Sequence, residues 1–270
     1  MLELKHLNYL PPQHKQPLWQ NLTLKMYPGK IYGLIGVNGV GKTTLLNLLS
    51  GLITPTQGDV YWQQQPIHRS KKALRTYLAT VGYCLQDADH LFFKQTVQEE
   101  LEYHHKGSMT QIIEKLQLET LLELSPFELS GGQKKRLALA IMLLKQPQML
   151  FCDEITAGLD THFQDVVMSL LQDYCQEHLV LLVTHNLDEA LKYCDELLFL
   201  DQSGLHAYTT AAVLKQPEIF EQFQLLMPRS LEICQALMNA GILPSNSYYR
   251  SDEEIAQALA TLWNKGTNQL

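Results

Sequence analysis

A glycine-rich run, GVNGVGKT at residues 36–43, joins an apolar stretch to a helix-like segment. Glycines let successive backbone N–H groups turn toward an anion, and the amino end of the following helix adds partial positive charge. The Lys42 ammonium would reach the outer phosphates of a nucleotide, and the Thr43 hydroxyl would bind magnesium. The run therefore predicts a site for ATP or GTP with Mg²⁺. The expected nucleotide contacts are Gly36, Asn38, Gly39, Gly41, Lys42, Thr43 and Thr44.

Two acids, Asp153 and Glu154, directly follow an apolar run at residues 149–152. Hydrophobic strands can end in surface acids that have no function, but a phosphate-binding loop needs an acid at a neighbouring strand end to hold magnesium. Asp153 would supply that acid. Glu154 would face the γ-phosphate and accept a proton from the attacking water, a role that contributes roughly 10²–10⁴-fold in rate. The pair predicts nucleotide hydrolysis.

The third motif is LSGGQ at residues 129–133, ahead of a helical run at Lys134–Lys145 that Pro147 should stop. Taken alone, it predicts only a helix start, with Ser130 as the cap and N–H groups open to an anion. Together with the glycine-rich loop and the acidic strand end, in this order, it resembles the nucleotide-binding subunits of ABC transporters. The resemblance covers essentially residues 2–205 and implies the P-loop ABC-ATPase fold.

The resemblance implies roles for four further residues. Gln86 would contact magnesium and sense a membrane partner, Asp160 would lie in a loop that crosses between subunits, and His185 would contact the γ-phosphate. Tyr9 would stack on adenine, which favours ATP over GTP, while core packing is the alternative for this ring. The sequence departs from the family at Ile155, where proline is usual, a change that removes no catalytic group.

In this family two subunits pack head to tail, so that the signature of one completes the nucleotide site of the other. The residues expected to act on the partner's nucleotide are Ser130, Gly131, Gly132 and Gln133. The sequence leaves open whether the second ATPase chain is a copy of this one or a different chain. The other expected partners are integral membrane subunits of a transporter.

Composition limits the partners and the location. The formal net charge of −7 gives no general attraction to nucleic acid, and we expect none to bind. The longest apolar run, Leu137–Leu144, is too short to span a membrane, and the opening residues lack the pattern of a secretory signal. Five cysteines without CxxC spacing argue against structural zinc or disulfides. We therefore expect the protein to stay in the cytosol, and the resemblance to ABC transporter subunits implies a peripheral position at the cytoplasmic face of the membrane.

Alternating strand-like and helix-like segments predict an α/β domain that positions these motifs, with a mainly parallel core sheet and an antiparallel side sheet. The predicted limits are 1–204 for the ATPase domain, about 87–145 for a helical subdomain within it, and 205–270 for a small, mainly helical carboxyl-terminal extension. Core strands are expected at Ile31–Ile35, Val81–Gln86, Met149–Asp153, Leu179–Thr184 and Glu196–Asp201, side strands at Leu2–Tyr9, Leu22–Met26 and Asp59–Gln63, and extension helices at Ser230–Ala240 and Asp252–Trp263.

Capping signals locate the helices of the predicted subdomain. Thr96 and Glu99 form a capping-box pattern ahead of a helix at Val97–Tyr103, and Thr110 is expected to cap a helix at Gln111–Leu118. These signals predict that the chain turns helical after the strand that ends near Gln86.

Three consecutive apolar residues, Leu91, Phe92 and Phe93, lie in the same subdomain. We expect all three to form part of a surface that docks a membrane subunit. On a short helix they cannot all face one core, so at least one should be exposed. The alternative is that all three fill the core of the subdomain.

Two segments resemble one ABC group, the energy-coupling factor (ECF) ATPases and their cobalt or nickel relatives. One is QDADHLF at residues 86–92, although Ala88 replaces the usual proline and the segment is one residue shorter. The other is the tail, including PEIF at residues 217–220. This resemblance implies an ATPase that powers import of a vitamin or a transition-metal ion. A conventional ABC transporter ATPase and a soluble ABC-class ATPase are the alternatives.

Overall fold

The computed structural model describes residues 1–12, 14–84, 88–104 and 109–267. Its strands are β1 (Leu2–Tyr9), β2 (Trp19–Met26), β3 (Lys30–Ile35), β4 (Gln57–Trp62), β5 (Gln65–Pro66), β6 (Val81–Cys84), β7 (Met149–Asp153), β8 (Leu179–Val183), β9 (Glu196–Leu200) and β10 (Leu205–Thr209). They form two sheets, and the ends of the strands in the larger sheet carry the predicted site.

The larger sheet has the strand order β10-β9-β3-β8-β7-β6. Strands β3, β6, β7, β8 and β9 run parallel, and β10 is antiparallel to β9. Every residue of β7 and β8 is buried, which explains their unbroken apolar sequences, since helices and the smaller sheet cover both faces. Parallel strands place their carboxyl ends at one edge, so the loops that follow β3, β7 and β8 meet there.

The smaller sheet is antiparallel, with the order β2-β1-β4-β5. One core cluster lies between this sheet, the larger sheet and the helix after β3; it includes Leu4, Trp19, Leu45 and Phe151. The other core cluster covers the opposite face and extends into the helical subdomain through Phe92. The two clusters hold the larger sheet between them, as the two-sheet α/β prediction requires.

The helices are α1 (Lys42–Leu49), α2 (Lys71–Leu78), α3 (Val97–His104), α4 (Thr110–Lys115), α5 (Gly131–Lys145), α6 (Thr161–Cys175), α7 (Leu187–Tyr193), α8 (Thr210–Lys215), α9 (Ile219–Gln222), α10 (Arg229–Asn239) and α11 (Asp252–Thr267). Short 3-10 helices cover Ile67–Arg69, Ala88–Leu91, Glu119–Leu121 and Pro126–Glu128. Within the described residues, no helix combines the length and apolar character needed to cross a bilayer.

Two sequence predictions about helix starts need correction. The Thr96 hydroxyl accepts the Glu99 N–H at 3.2 Å as predicted, but the Glu99 carboxylate accepts the N–H of Gln95 rather than that of Thr96. The predicted Thr110 cap is wrong, because α4 already includes Thr110 and its cap position is Met109, which makes no side-chain capping bond. Backbone N–H groups of α4 bond back to the Met109 carbonyl instead.

The tail begins with a strand that the sequence interpretation did not include. Strand β10 pairs along its whole length with β9, from Leu205 opposite Leu200 to Thr209 opposite Glu196. Helices follow it, and Phe223 stacks on Phe199 of β9 with ring centroids 4.8 Å apart. The tail is therefore mainly helical, as predicted, but its first strand belongs to the core sheet.

Candidate functional site

The glycine-rich loop follows β3 and ends where α1 starts at Lys42. Gly39 and Gly41 have φ values of +78° and +102°, a left-handed conformation that side chains other than glycine rarely adopt. The Lys42 ammonium lies inside this loop and donates to the carbonyl oxygens of Gly36 at 2.7 Å and Val37 at 3.1 Å. Burial lowers the pKa of Lys42 below its ordinary value, although the nearby carboxylates of Glu154 and Asp153 partly oppose this shift. The loop thus has the curved backbone and central cation that a phosphate needs.

Trp19 packs against the glycine-rich loop at Val40 and Gly41, a contact that the sequence did not predict. Its indole N–H donates to the Val40 carbonyl oxygen at 2.8 Å. A Cβ atom added to Gly41 would lie 2.4 Å from the Trp19 ring, so glycine is required here by close packing as well as by φ. The smaller sheet therefore fixes the loop through one buried side chain.

Thr43 and Asp153, predicted to bind magnesium, lie next to each other. The Thr43 hydroxyl, in the first turn of α1, donates to Oδ2 of Asp153, the last residue of β7, at 3.1 Å. Burial raises the pKa of Asp153 above its ordinary value, although the hydrogen bond from Thr43 partly opposes this shift. A hydroxyl and a carboxylate are hard oxygen donors of the kind Mg²⁺ prefers, so these residues fit the ion.

Glu154 and His185, each predicted to act at the γ-phosphate, lie next to each other. His185 Nε2 lies 2.8 Å from Glu154 Oε1. Glu154 has a φ of +51°, and its N–H donates to the Val183 carbonyl at 3.0 Å, so the residue turns out of the sheet at the end of β7. Lys135, which sequence reasoning missed, fixes this turn by donating to the carbonyls of Glu154 at 2.8 Å and Ala157 at 2.6 Å.

The signature residues lie at the start of α5. The Ser130 side chain accepts the Gln133 N–H at 3.4 Å, and the Gln133 side chain accepts the Ser130 N–H at 2.8 Å, which completes a reciprocal capping box. Ser130 and Gly131 are exposed, and a Cβ atom added to Gly131 would meet no atom within 4 Å. This turn is thus preformed and open to contact from outside the chain.

Comparison with known proteins decides the family. The family model described as "ABC transporter" matches residues 19–157. This chain belongs to the ABC transporter family. The family confirms the ATPase chemistry that the motifs predict, and the fold above is the ABC-ATPase fold.

Individual relatives extend beyond the part matched by the family model. The ABC ATPase is 32% identical over 254 residues to "Energy-coupling factor transporter ATP-binding protein EcfA2" of Streptococcus pyogenes serotype M5 (strain Manfredo), with 88% of this chain and 90% of the relative covered. It is also 33% identical over 234 residues to "Methionine import ATP-binding protein MetN" of Latilactobacillus sakei subsp. sakei (strain 23K), which covers 81% of this chain and 68% of that one. The predicted resemblance to the ECF group is confirmed by the first of these.

Solved structures share the fold. The structure of cbiO1 from Clostridium perfringens, "part of the ABC transporter complex cbiONQ", has a TM-score of 0.69 and 25% identity, covering 87% of this chain and 98% of that chain. A dimeric ATP-binding cassette in a post-hydrolysis state with ADP and phosphate has the same TM-score, 0.69, at 23% identity, covering 78% of this chain and 99% of that one. The ABC ATPase thus has the two-sheet architecture of these cassettes.

Asp160, predicted to lie in a loop that crosses between subunits, directly precedes α6. Its carboxylate accepts the Phe163 N–H at 3.0 Å and so caps that helix. Leu159, just before it, lies 3.3 Å from a Cβ atom added to Gly132, so this loop packs under the signature turn. Ile155, at the position where the family usually has proline, is buried in the core.

The structure does not test the roles predicted for Tyr9 and Gln86. Tyr9 is the half-buried last residue of β1, and its ring packs against the core cluster that contains Trp19. Gln86, predicted to contact magnesium, lies outside the described residues. The adenine role of Tyr9 and the magnesium role of Gln86 therefore stay predictions.

The three apolar residues of the helical subdomain lie in different environments. Phe93 is 57% exposed, whereas Phe92 is buried in the core and Leu91 is half-buried against it. The prediction that at least one is exposed is confirmed, but a docking role for Phe92 is wrong because its ring fills the core. Phe93 packs edge-on against Tyr103, which is also exposed, with ring centroids 5.0 Å apart. We call these two side chains the Phe93–Tyr103 patch.

Proposed function

We propose that this ABC ATPase is the ATP-hydrolysing subunit of an ECF-type transporter that imports a vitamin or a transition-metal ion. The observation that carries the proposal is the length of the match to EcfA2, which spans 88% of this chain and 90% of the relative and so continues beyond the ATPase motifs. A second EcfA2, from Lactobacillus gasseri, covers 99% of both chains at 29% identity. The proposed division is an ATPase domain at 1–204, with a helical subdomain at about 87–145, and an extension at 205–270.

In the proposed reaction, Lys42 and the N–H groups of its loop hold the phosphates of ATP. Thr43, Asp153 and Gln86 hold Mg²⁺, which neutralises phosphate charge when bound. Glu154 takes a proton from the attacking water, and His185 contacts the γ-phosphate and orients the Glu154 carboxylate, 2.8 Å away. This contact supports the assignment because a general base must be held in a fixed orientation.

A second ATPase chain, identical or different, completes each site in the proposed complex. Its signature turn would add N–H groups and the Ser130 hydroxyl to the nucleotide bound by the first chain. The exposure of Ser130 and Gly131 supports this arrangement, because a preformed helix start attracts phosphate. The proposed location is peripheral, at the cytoplasmic face of the membrane, with integral membrane subunits as the other partners.

The Phe93–Tyr103 patch is the proposed contact with a membrane subunit. Lys94 lies over the Tyr103 ring, with its ammonium 4.1 Å from the ring centroid. The buried carboxylate of Glu100 accepts the N–H groups of Phe93 at 2.9 Å and Lys94 at 2.8 Å, which fixes the backbone under the patch. Two adjacent exposed aromatic rings are the kind of anchor that interfaces use.

One observation favours a second candidate, a conventional ABC importer. The MetN relative is 33% identical over 234 residues and carries a methionine-import name. Its match covers only 68% of that relative, whereas the EcfA2 matches cover nearly the whole of both chains. The fuller coverage of both chains in the EcfA2 matches therefore supports the ECF-type function.

Affinity purification from membranes tests the proposal. The tagged chain should bring down a second ATPase chain and a small polytopic membrane protein, identified by mass spectrometry. Phe93→Asp should weaken this assembly by about tenfold or more, since anchor residues carry much of the binding energy. Tyr27→Asp is the matched control, because Tyr27 is also an exposed aromatic but precedes β3, at the opposite edge of the core sheet. Recovery of a methionine permease instead would support the second candidate.

A further inference from the structure

A buried carboxylate that the proposed chemistry does not use lies directly behind the catalytic turns. Glu189 is the third residue of α7 and only 6% exposed. Its Oε2 accepts two hydroxyl hydrogen bonds, from Thr156 at 3.0 Å and from Thr184 at 2.9 Å. Both threonines are buried as well. One carboxylate oxygen therefore connects two separate loops inside the protein.

The two threonines flank the two proposed catalytic groups. Thr156 comes two residues after Glu154, and its carbonyl accepts the Leu159 N–H at 3.1 Å within the turn that leads to Asp160. Thr184 directly precedes His185, and its hydroxyl also accepts the Asn186 N–H at 3.0 Å. Through Glu189, the turn carrying Glu154 and the turn carrying His185 are thus fixed to the same point on α7.

The carboxyl-terminal extension holds α7 on both sides of Glu189. Asp188 accepts the backbone N–H groups of Arg229 at 3.1 Å and Ser230 at 2.9 Å, and so caps α10, whose own cap position, Pro228, makes no side-chain bond. The Arg250 guanidinium donates to the Leu191 carbonyl at 2.8 Å and to the Cys194 carbonyl. Charged groups at helix ends are favourable contacts, so the Asp188 and Arg250 side chains anchor α7 to the extension.

The environment of Glu189 indicates that hydrogen-bond acceptance, rather than charge, is its task. Its second oxygen, Oε1, has no hydrogen-bond partner among the described residues. Burial raises the pKa of Glu189, while the two threonine hydroxyls lower it. A neutral side chain of the same shape that still accepts both hydroxyls should therefore replace it, and an apolar side chain should not, because both donors would stay buried without an acceptor.

We propose that Glu189 is a positioning residue for ATP hydrolysis and that it fixes Glu154 and His185 relative to each other. The carboxyl-terminal extension in turn fixes the position of Glu189 through Asp188 and Arg250. The inference rests on the proposed roles of Glu154 and His185. In this inference, the extension acts on the turns that carry Glu154 and His185 through its hydrogen bonds to α7.

The test compares Glu189→Leu with Glu189→Gln in the full chain, assembled with its transporter partners. Glu189→Leu should lower kcat by about tenfold or more at nearly unchanged ATP affinity, because small displacements of reacting groups have large effects on rate. Glu189→Gln should stay within about threefold of the unchanged protein, since its carbonyl accepts both threonine hydroxyls. Unchanged kcat in Glu189→Leu, or equal loss in both variants, would overturn the proposal.

Hydrogen–deuterium exchange on the same variants keeps the test decisive if one of them is unstable. In Glu189→Leu, residues 155–160 and 184–187 should exchange faster together, while residues 36–43 exchange as before. If Glu189→Leu does not fold, the double variant Thr156→Val with Thr184→Val takes its place, because it removes both hydrogen bonds to Glu189, and it should loosen both segments. Loosening of one segment without the other would contradict the coupling.

Two arginine variants test the part played by the extension. Arg250→Ala should lower kcat by about threefold and add no further loss in the Glu189→Leu background, since residues that act as a unit are non-additive. Arg229→Ala is the matched control, because it removes the same charge from the extension but Arg229 reaches Asp188 only through its backbone N–H. Equal effects of the two variants would contradict the link.

A parallel assay of Glu154→Gln separates this inference from the proposed function. Slow hydrolysis by Glu154→Gln with normal hydrolysis by Glu189→Leu would refute only the role of Glu189. Normal hydrolysis by Glu154→Gln would refute the catalytic assignment, and the exchange data would still decide whether Glu189 couples the two turns.

Discussion

The phosphate-loop side and the signature side of this molecule are assembled in different ways. On the phosphate-loop side, functional side chains from separate elements contact each other: Thr43 of α1 bonds to Asp153 of β7, and Glu154 after β7 lies next to His185 after β8. On the signature side, Ser130 and Gln133 bond only within their own turn in the contacts described for them. The first side thus brings its proposed catalytic groups together within one chain. The second side is exposed, and we propose that it contacts the nucleotide of another chain.

The largest effect is expected from removing the catalytic base on the phosphate-loop side. Glu154→Gln should bind ATP with magnesium but hydrolyse it about a hundredfold or more slowly, because an amide cannot accept the proton. Steady-state hydrolysis by the assembled transporter gives the rate, and equilibrium ATP binding to the same sample is the control. Near-normal turnover would remove Glu154 from its assigned role.

An acid placed in the signature turn should affect only the second chain's nucleotide. A Cβ atom added to Gly131 meets no atom within 4 Å, and this exposed residue lies at a helix start, where the negative charge of Gly131→Glu is favourable for folding. ATP binding by the single chain should stay unchanged, while hydrolysis by paired chains falls by about a hundredfold, since like charges brought together cost several kcal/mol. Gly131→Ala is the control. Weaker ATP binding by the single Gly131→Glu chain would show that the two sides are not separate.

Lys42→Ala should do the reverse and fail at nucleotide binding in the single chain. Hydrogen bonds to charged groups contribute about 1.5–3 kcal/mol each, so ATP affinity should fall about 10- to 150-fold. Calorimetric titration with ATP and magnesium measures it. Affinity equal to that of the unchanged chain would mean that the loop does not hold the phosphates.

Tyr9 gives the smallest expected change. Tyr9→Phe should be tolerated, whereas Tyr9→Ala should weaken ATP binding by about 1–3 kcal/mol, the range for base–aromatic stacking. The same titration measures it, with a thermal melt alongside. If affinity is unchanged and only the melting temperature falls, the ring serves the core cluster it packs against and not adenine.

Local sequence signals predicted much of the fold and most of the site. Strands β1 and β7 match their predicted limits, because unbroken or alternating apolar runs are recorded in the sequence itself. The loop at residues 36–43 and the Ser130 cap were equally predictable, since each motif forms from neighbouring residues. Strand β10 was missed although Asp201 and Gly204, at the turn between two strand-like runs, are a recognisable hairpin signal.

Contacts between distant parts of the chain were not predictable in this way. Trp19 supports Gly41, and Lys135 holds the turn after Glu154, but no spacing in the sequence marks either residue. Phe92 and Phe93 are adjacent and alike in composition, and only packing of the helical subdomain decides which one is buried. Glu189 reads as an ordinary helix residue until the fold brings Thr156 and Thr184 to it.

The central claim, that each ATP site is shared between two chains, is tested most directly by the mass of the Glu154→Gln chain in solution. Light scattering would be recorded with magnesium and ATP or ADP, for the chain alone and with its second ATPase chain. We expect ATP, but not ADP, to produce a two-chain species in at least one of these two samples, and Gly131→Glu to abolish it. A single-chain mass in both mixtures, with ATP fully bound, would contradict the claim.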